Sequence, residues 1–69
     1  MTIGEKLTEL RTKLGLSTTY VADEVGVTKQ AIFNYENDIR IPRDEIKIKL
    51  ANLYNTTVEN IFFNQQNNI

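Results

Sequence analysis

Cysteine, histidine and tryptophan do not occur in this sequence, and proline occurs once. Without thiols there is no disulfide, no thiolate zinc site and no cysteine nucleophile, and without imidazole the commonest general base is missing. No apolar run exceeds three residues, as in Ile61-Phe62-Phe63, whereas a membrane span needs about 20. The N-terminus has no signal-peptide core, which predicts a protein that stays in the cytoplasm. Neither sign of charge dominates: 8 Lys and Arg stand against 9 Asp and Glu, net −1, which argues against a sequence-blind polycation. No glycine-rich phosphate loop is present. Carboxylates such as Asp23 and Glu24 stand on an exposed helix flank without histidine or metal spacing. No catalysis, metal, cofactor or small-molecule ligand is therefore expected.

Sixty-nine residues make one small domain, able to bury about 60% of its unfolded surface. Helical punctuation recurs along it, and nothing reads as a strand. Ile3, Leu7, Leu10 and Leu14 form one stripe of a first helix from Thr2 to Leu14, with a Thr2/Glu5 capping box and Gly15 beyond its end. Glu9 and Lys13 are spaced for an exposed ion pair. Ser17 caps a second helix, buried through Val21, Ala22 and Val25 and stopped by Gly26. Thr28 caps a third, with Ala31, Ile32 and Tyr35 inward, ended by Asn37-Asp38, which tolerate left-handed backbone. Pro42 suits the first turn of a fourth helix carried by Ile46, Leu50, Leu53 and Tyr54, with Asp44 and Glu45 at its positive end. Thr57 caps a short fifth helix holding Val58, Ile61 and Phe62. The expected fold is a compact all-α five-helix bundle over residues 1–63, with a polar, disordered tail at 64–69. Met1 and that loose tail favour a whole protein over a fragment.

The joint between the second and third helices carries the functional signal. Ala22, Gly26 and Ile32 (A-x3-G-x5-I) combine a small residue for close helix crossing, a positive-φ turn and an apolar wedge. Val21, Val25, Val27 and Tyr35 fill the other apolar positions between Thr18 and Asn37. With caps at Ser17 and Thr28, this window predicts helix-turn-helix geometry, whose second helix enters the DNA major groove.

Leu10-Arg11, Leu14-Gly15-Leu16-Ser17, Ala22, Gly26-Val27, Ile32, Tyr35-Glu36-Asn37, Pro42 and Leu50-Ala51 occur in the order found in phage-repressor and Cro-like (XRE-type) helix-turn-helix domains. The chain resembles that family over about residues 3–62. The resemblance implies a lambda-repressor-like fold and a sequence-specific regulator that reads operator DNA with its third helix. Base contacts would come from Thr28, Lys29, Gln30, Phe33 and Asn34. Glutamine and asparagine can pair with adenine, lysine with guanine or phosphate, and Phe33 with a thymine methyl. Phosphate contacts would fall to Thr18, Thr19, Asn37, Arg40 and Arg43. Two positions depart from the family pattern: Thr18 stands where glutamine is usual, and Phe33 where a small polar residue is. Glu36 is expected to be structural. The competing account of each polar position is a solvated surface.

Residues 28–49 carry five Lys and Arg against four Asp and Glu, a net of +1, so one copy gains little from counterion release. Useful affinity then calls for a homodimer on half-sites about 34 Å apart. Ile48, off the buried face, and Phe63 offer a dimer surface, with Phe62 in the core. Two functions stay open. One is a Cro-like phage or prophage repressor acting in a genetic switch. The other is a small modulator or antirepressor that binds a partner repressor through the same fold and alters its DNA binding.

Overall fold

The computed structural model describes residues 1–63; the tail expected at 64–69 lies outside them. The first helix, α1 (Ile3–Lys13), begins at the Thr2/Glu5 capping box: Thr2 Oγ1 accepts the Glu5 N–H at 3.0 Å and Glu5 Oε1 accepts the Thr2 N–H at 2.9 Å. Its stripe is shorter than the spacing predicts. Leu7 is buried and Ile3 and Leu10 are partly covered, but Leu14 is the C-cap and stays exposed. The helix stops there because Gly15 turns left-handed at φ +71°, which carries the next residues away from the helix axis. Glu9 also chooses another partner: it lies 3.7 Å from Lys6, one turn earlier, rather than pairing with Lys13.

Ser17 and Thr28 cap α2 (Thr18–Val25) and α3 (Lys29–Glu36), each hydroxyl oxygen accepting a backbone N–H three residues on at 3.0 Å. Between them Gly26 adopts φ +77°, and both its N–H and that of Val27 return to the Ala22 carbonyl. A Cβ at Gly26 would meet nothing within 4 Å, so the glycine is required by backbone conformation and not by space.

Helix α4 (Asp44–Leu53) starts two residues later than its proline suggests. Arg43 is the N-cap, without a side-chain capping bond, and Pro42 precedes it as a buried residue. Proline fixes its own φ and biases Ile41 before it toward extended backbone, and Arg43 takes the extended geometry usual for an N-cap. Buried positions on α4 are Ile46, Leu50 and Ala51, with Tyr54 following and Leu53 at the margin. Asn55 turns left-handed at φ +57°.

The last element, α5 (Glu59–Phe63), follows the Thr57 cap, whose Oγ1 accepts the Asn60 N–H at 3.0 Å, and is a wide π-type turn rather than a regular α-helix. A five-residue segment has little helical stability of its own, so burial of Ile61 and Phe62 sets its winding. No strand occurs among the described residues. Val21, Val25, Leu7, Ile32, Leu50 and Ile61 are the most deeply enclosed side chains, and every described helix lends the core at least one residue. None of the described helices is long and apolar enough to cross a membrane.

Candidate nucleic-acid interface

Alternate burial along α3 follows from its helical period. Ile32 and Tyr35 point inward and Ala31 is partly covered, so residues half a turn away must face out. Gln30, Phe33 and Asn37 are exposed and Asn34 is half-exposed, with Lys29 at their edge. The structure therefore brings four of the five expected base-contacting residues onto one outward surface. No carboxylate interrupts it: residues 28–35 contain no Asp or Glu, and Lys29 has no ion pair among the described residues.

Several of these side chains are already engaged. Gln30 Nε2 donates to Asn34 Oδ1 at 3.1 Å. Asn37 Nδ2 donates to the Phe33 carbonyl at 2.8 Å, closing the end of α3. The Thr28 oxygen is occupied as a cap acceptor, which leaves its hydroxyl proton for an outside acceptor. Thr18 and Thr19 form the first turn of α2 behind the Ser17 cap, Thr18 half-buried and Thr19 exposed. The two N–H groups of Ile39 and Arg40 both reach the Asn34 carbonyl, at 2.9 and 3.2 Å. That wrap swings the chain back beside α3. Arg40 and Arg43 consequently line one open cleft with Val27, Tyr35, Ile41 and Ile46. Arg40 has no ion pair among the described residues, and Arg43 meets only the exposed Glu45, at 3.8 Å.

Apart from Glu36, the supports behind α3 are residues whose part sequence reasoning missed. Glu36 takes two bonds from Arg11 of α1, Nε to Oε2 at 2.7 Å and Nη2 to Oε1 at 3.1 Å, and Arg11 Nη1 also donates to the Leu16 carbonyl. The hydrogen bond from Arg11 to Glu36 raises the guanidinium pKa further, against the opposing effect of burial. Just beyond α3, Asp38 sits left-handed at φ +60° and its Oδ1 accepts the Gly4 N–H at 2.8 Å. A Cβ at Gly4 would clash with the Glu36 carbonyl, so here glycine is required by space. The expected structural role of Glu36 agrees with this geometry. Its partner 25 residues away carries no local sequence signal, and Asp38 reads only as a residue that tolerates a turn.

Comparison with known proteins follows the same lines. The helix-turn-helix family matches residues 7–61. The HTH-type transcriptional regulator ImmR of Bacillus subtilis is 34% identical over 59 residues, covering 86% of this chain and 46% of that protein. The HTH-type transcriptional regulator AnsR of the same organism is 39% identical over 57 residues, covering 83% of this chain and 49% of that protein. The chain thus spans about half the length of these two relatives. Among solved structures, the P22 c2 repressor in complex with a synthetic operator superposes with a TM-score of 0.88 at 22% identity, covering 91% of this chain and 96% of that one. That likeness is one of fold. With caps, turn and buried wedge all in place, the chain belongs to the helix-turn-helix family, of the XRE type.

Proposed function

We propose that this chain binds operator DNA sequence-specifically, α3 lying in the major groove, and regulates transcription as a Cro-like repressor. The carrying observation is the outward face of α3, where Lys29, Gln30, Phe33 and Asn34 stand together without a carboxylate, on a joint built for groove entry. Arg40 and Arg43 in the adjoining cleft are placed to meet phosphate, which sets register rather than sequence. The family membership, the names of the two Bacillus subtilis relatives and the operator-bound P22 c2 structure support this reading.

The protein acts as a homodimer. Net charge near α3 is too small for one copy to hold DNA well, and the groove between Asp44, Lys47, Ile48, Val58 and Phe63 carries one charge of each sign beside apolar surface. Asp44 and Lys47 already pair within the chain at 3.6 Å, so exposed Ile48 and Phe63 supply the apolar contact across a two-fold axis. A second reading, a modulator that acts on a partner repressor, is favoured by one observation: Phe33 is 52% exposed on the reading face of a chain whose net charge is −1.

A salt-titrated gel shift against promoter DNA flanking the chain's own gene, with and without a candidate partner repressor, separates the two. A shift by the chain alone, two copies per palindromic site and weakening with salt, supports the repressor. A shift that changes only when the other repressor is present transfers the function to the modulator.

A further inference from the structure

Tyr35 faces the core from α3 and is 7% exposed. A buried phenol ordinarily gives its hydroxyl a hydrogen-bond partner. Among the described residues this hydroxyl has none. No unpartnered polar side-chain atom among them is fully enclosed either, so the hydroxyl lies in the small part of Tyr35 that still meets solvent. Tyr35 lines the cleft of about 190 Å³ where Arg40 and Arg43 stand, and that is where this part opens. The other walls are the apolar side chains of Val27, Ile41 and Ile46, and no carboxylate lines the space. Glu45, 3.8 Å from Arg43, is the competing acid; it is exposed and also reaches Lys49 at 3.6 Å. One phenolic donor and two guanidiniums beside apolar walls suit a compact anion, because charge-assisted bonds strengthen where water is partly excluded. Guanidinium geometry matches phosphate.

Resting on the DNA-binding function and its two phosphate-facing arginines above, we infer that Tyr35 is a phosphate ligand as well as a core residue. Its hydroxyl donates to an oxygen of a phosphate group seated in the cleft. Core packing fixes the ring, so the donor is in place before the phosphate arrives and little side-chain freedom is lost on binding. The contact is blind to base sequence and sets where the backbone rests against the connector between α3 and α4. A free phosphate-bearing molecule offers the same chemistry, and the position of the cleft beside α3 favours the DNA backbone as its source.

The test removes the hydroxyl alone. Tyr35→Phe keeps the ring and has no internal hydrogen bond to lose, so its melting temperature is expected to match the wild type. Tyr54→Phe, the same deletion elsewhere in the core, is the control. Fluorescence anisotropy measures binding of the full-length chain to a duplex selected from a randomised pool, unmodified and with single phosphates replaced by neutral methylphosphonates. Tyr35→Phe is expected to bind about 10-fold more weakly, with salt slope and base preference unchanged, since it removes a donor and no charge. At one phosphate per half-site, methylphosphonate costs the wild type more affinity than it costs Tyr35→Phe. Wild-type affinity in Tyr35→Phe, an equal loss in Tyr54→Phe, or equal methylphosphonate losses at every position overturns the assignment. If the wild type binds no duplex, the DNA-reading function falls, and inorganic phosphate followed by NMR decides the cleft separately. Shifts of the Arg40 and Ile41 amides that vanish in Tyr35→Phe keep it as a site for a free phosphate group, and their absence overturns it.

Discussion

Arg11 and Glu36 join the first and third helices through a two-point fork, with side chains only 16% and 9% exposed. Breaking one member leaves the other charge poorly solvated, so Glu36→Ala is expected to cost about 2–4 kcal/mol. Replacing both by apolar residues of similar size, Arg11→Met with Glu36→Leu, costs much less. Urea unfolding of the two singles and the double measures this. A double mutant as unstable as the sum of the singles would show that the pair is not coupled.

Gly4 inverts a familiar rule. Alanine in a helix is ordinarily worth up to about 1 kcal/mol over glycine. At this position the added methyl meets the Glu36 carbonyl and the Asp38 carboxylate, and Gly4→Ala is expected to destabilise by about 1–3 kcal/mol. Thermal unfolding decides the sign.

Asp38 both suffers and compensates a left-handed backbone. Asp38→Gly relieves the conformational cost and loses the bond to the Gly4 N–H, two terms of about 1 kcal/mol that nearly cancel. Asp38→Ala loses the bond and keeps the cost, so it is expected to be the less stable of the two by about 1 kcal/mol. Equal melting temperatures would remove the bond from the account.

Arg40 and Arg43 share the cleft beside α3. If each meets a phosphate, its change to alanine lowers the slope of log affinity against log salt by about 1 and weakens all sequences alike. Binding isotherms at four salt concentrations measure it. A variant that instead changes base preference is reading sequence, not backbone.

Tyr54 lies in the core, and burial, with a contribution from nearby Glu36, raises its phenol pKa well above the ordinary range near 10. The folded state therefore keeps this proton where the unfolded chain has released it. Stability is fully present below about pH 10 and falls as pH rises beyond that, by up to about 1.4 kcal/mol per unit. Tyr54→Phe is expected to flatten this decline in denaturant titrations between pH 9 and 11.

Most of the fold was legible because its signals are local. Thr2, Ser17, Thr28 and Thr57 are caps whose partners lie three residues away, and Gly26 is required by its own torsion angle. Phe62 and Phe63 also divide as expected, 5% against 61% exposed. Leu14 was misjudged because periodicity cannot see where a helix ends. Pro42 was misplaced by two residues, since it stands ahead of the Arg43 cap rather than at the first helical position. The supports of the reading face were invisible for a different reason. Arg11 with Glu36 and Gly4 with Asp38 are 25 and 34 residues apart, and only the folded chain brings them together. The grouping of Gln30, Phe33 and Asn34 could be read from the helical period.

An eight-residue helix would fray in isolation, yet α3 is fastened at its start by Thr28 and at its far end by two side-chain ties to α1. Its amides from Ile32 onward should consequently exchange with deuterium only when the whole domain opens, at the global unfolding free energy rather than below it. The groove-reading surface then has no partly competent state. If the proposed operator binding holds, heat or a distant core mutation lowers operator occupancy only through the population of folded molecules, and the molecules still folded keep their selectivity.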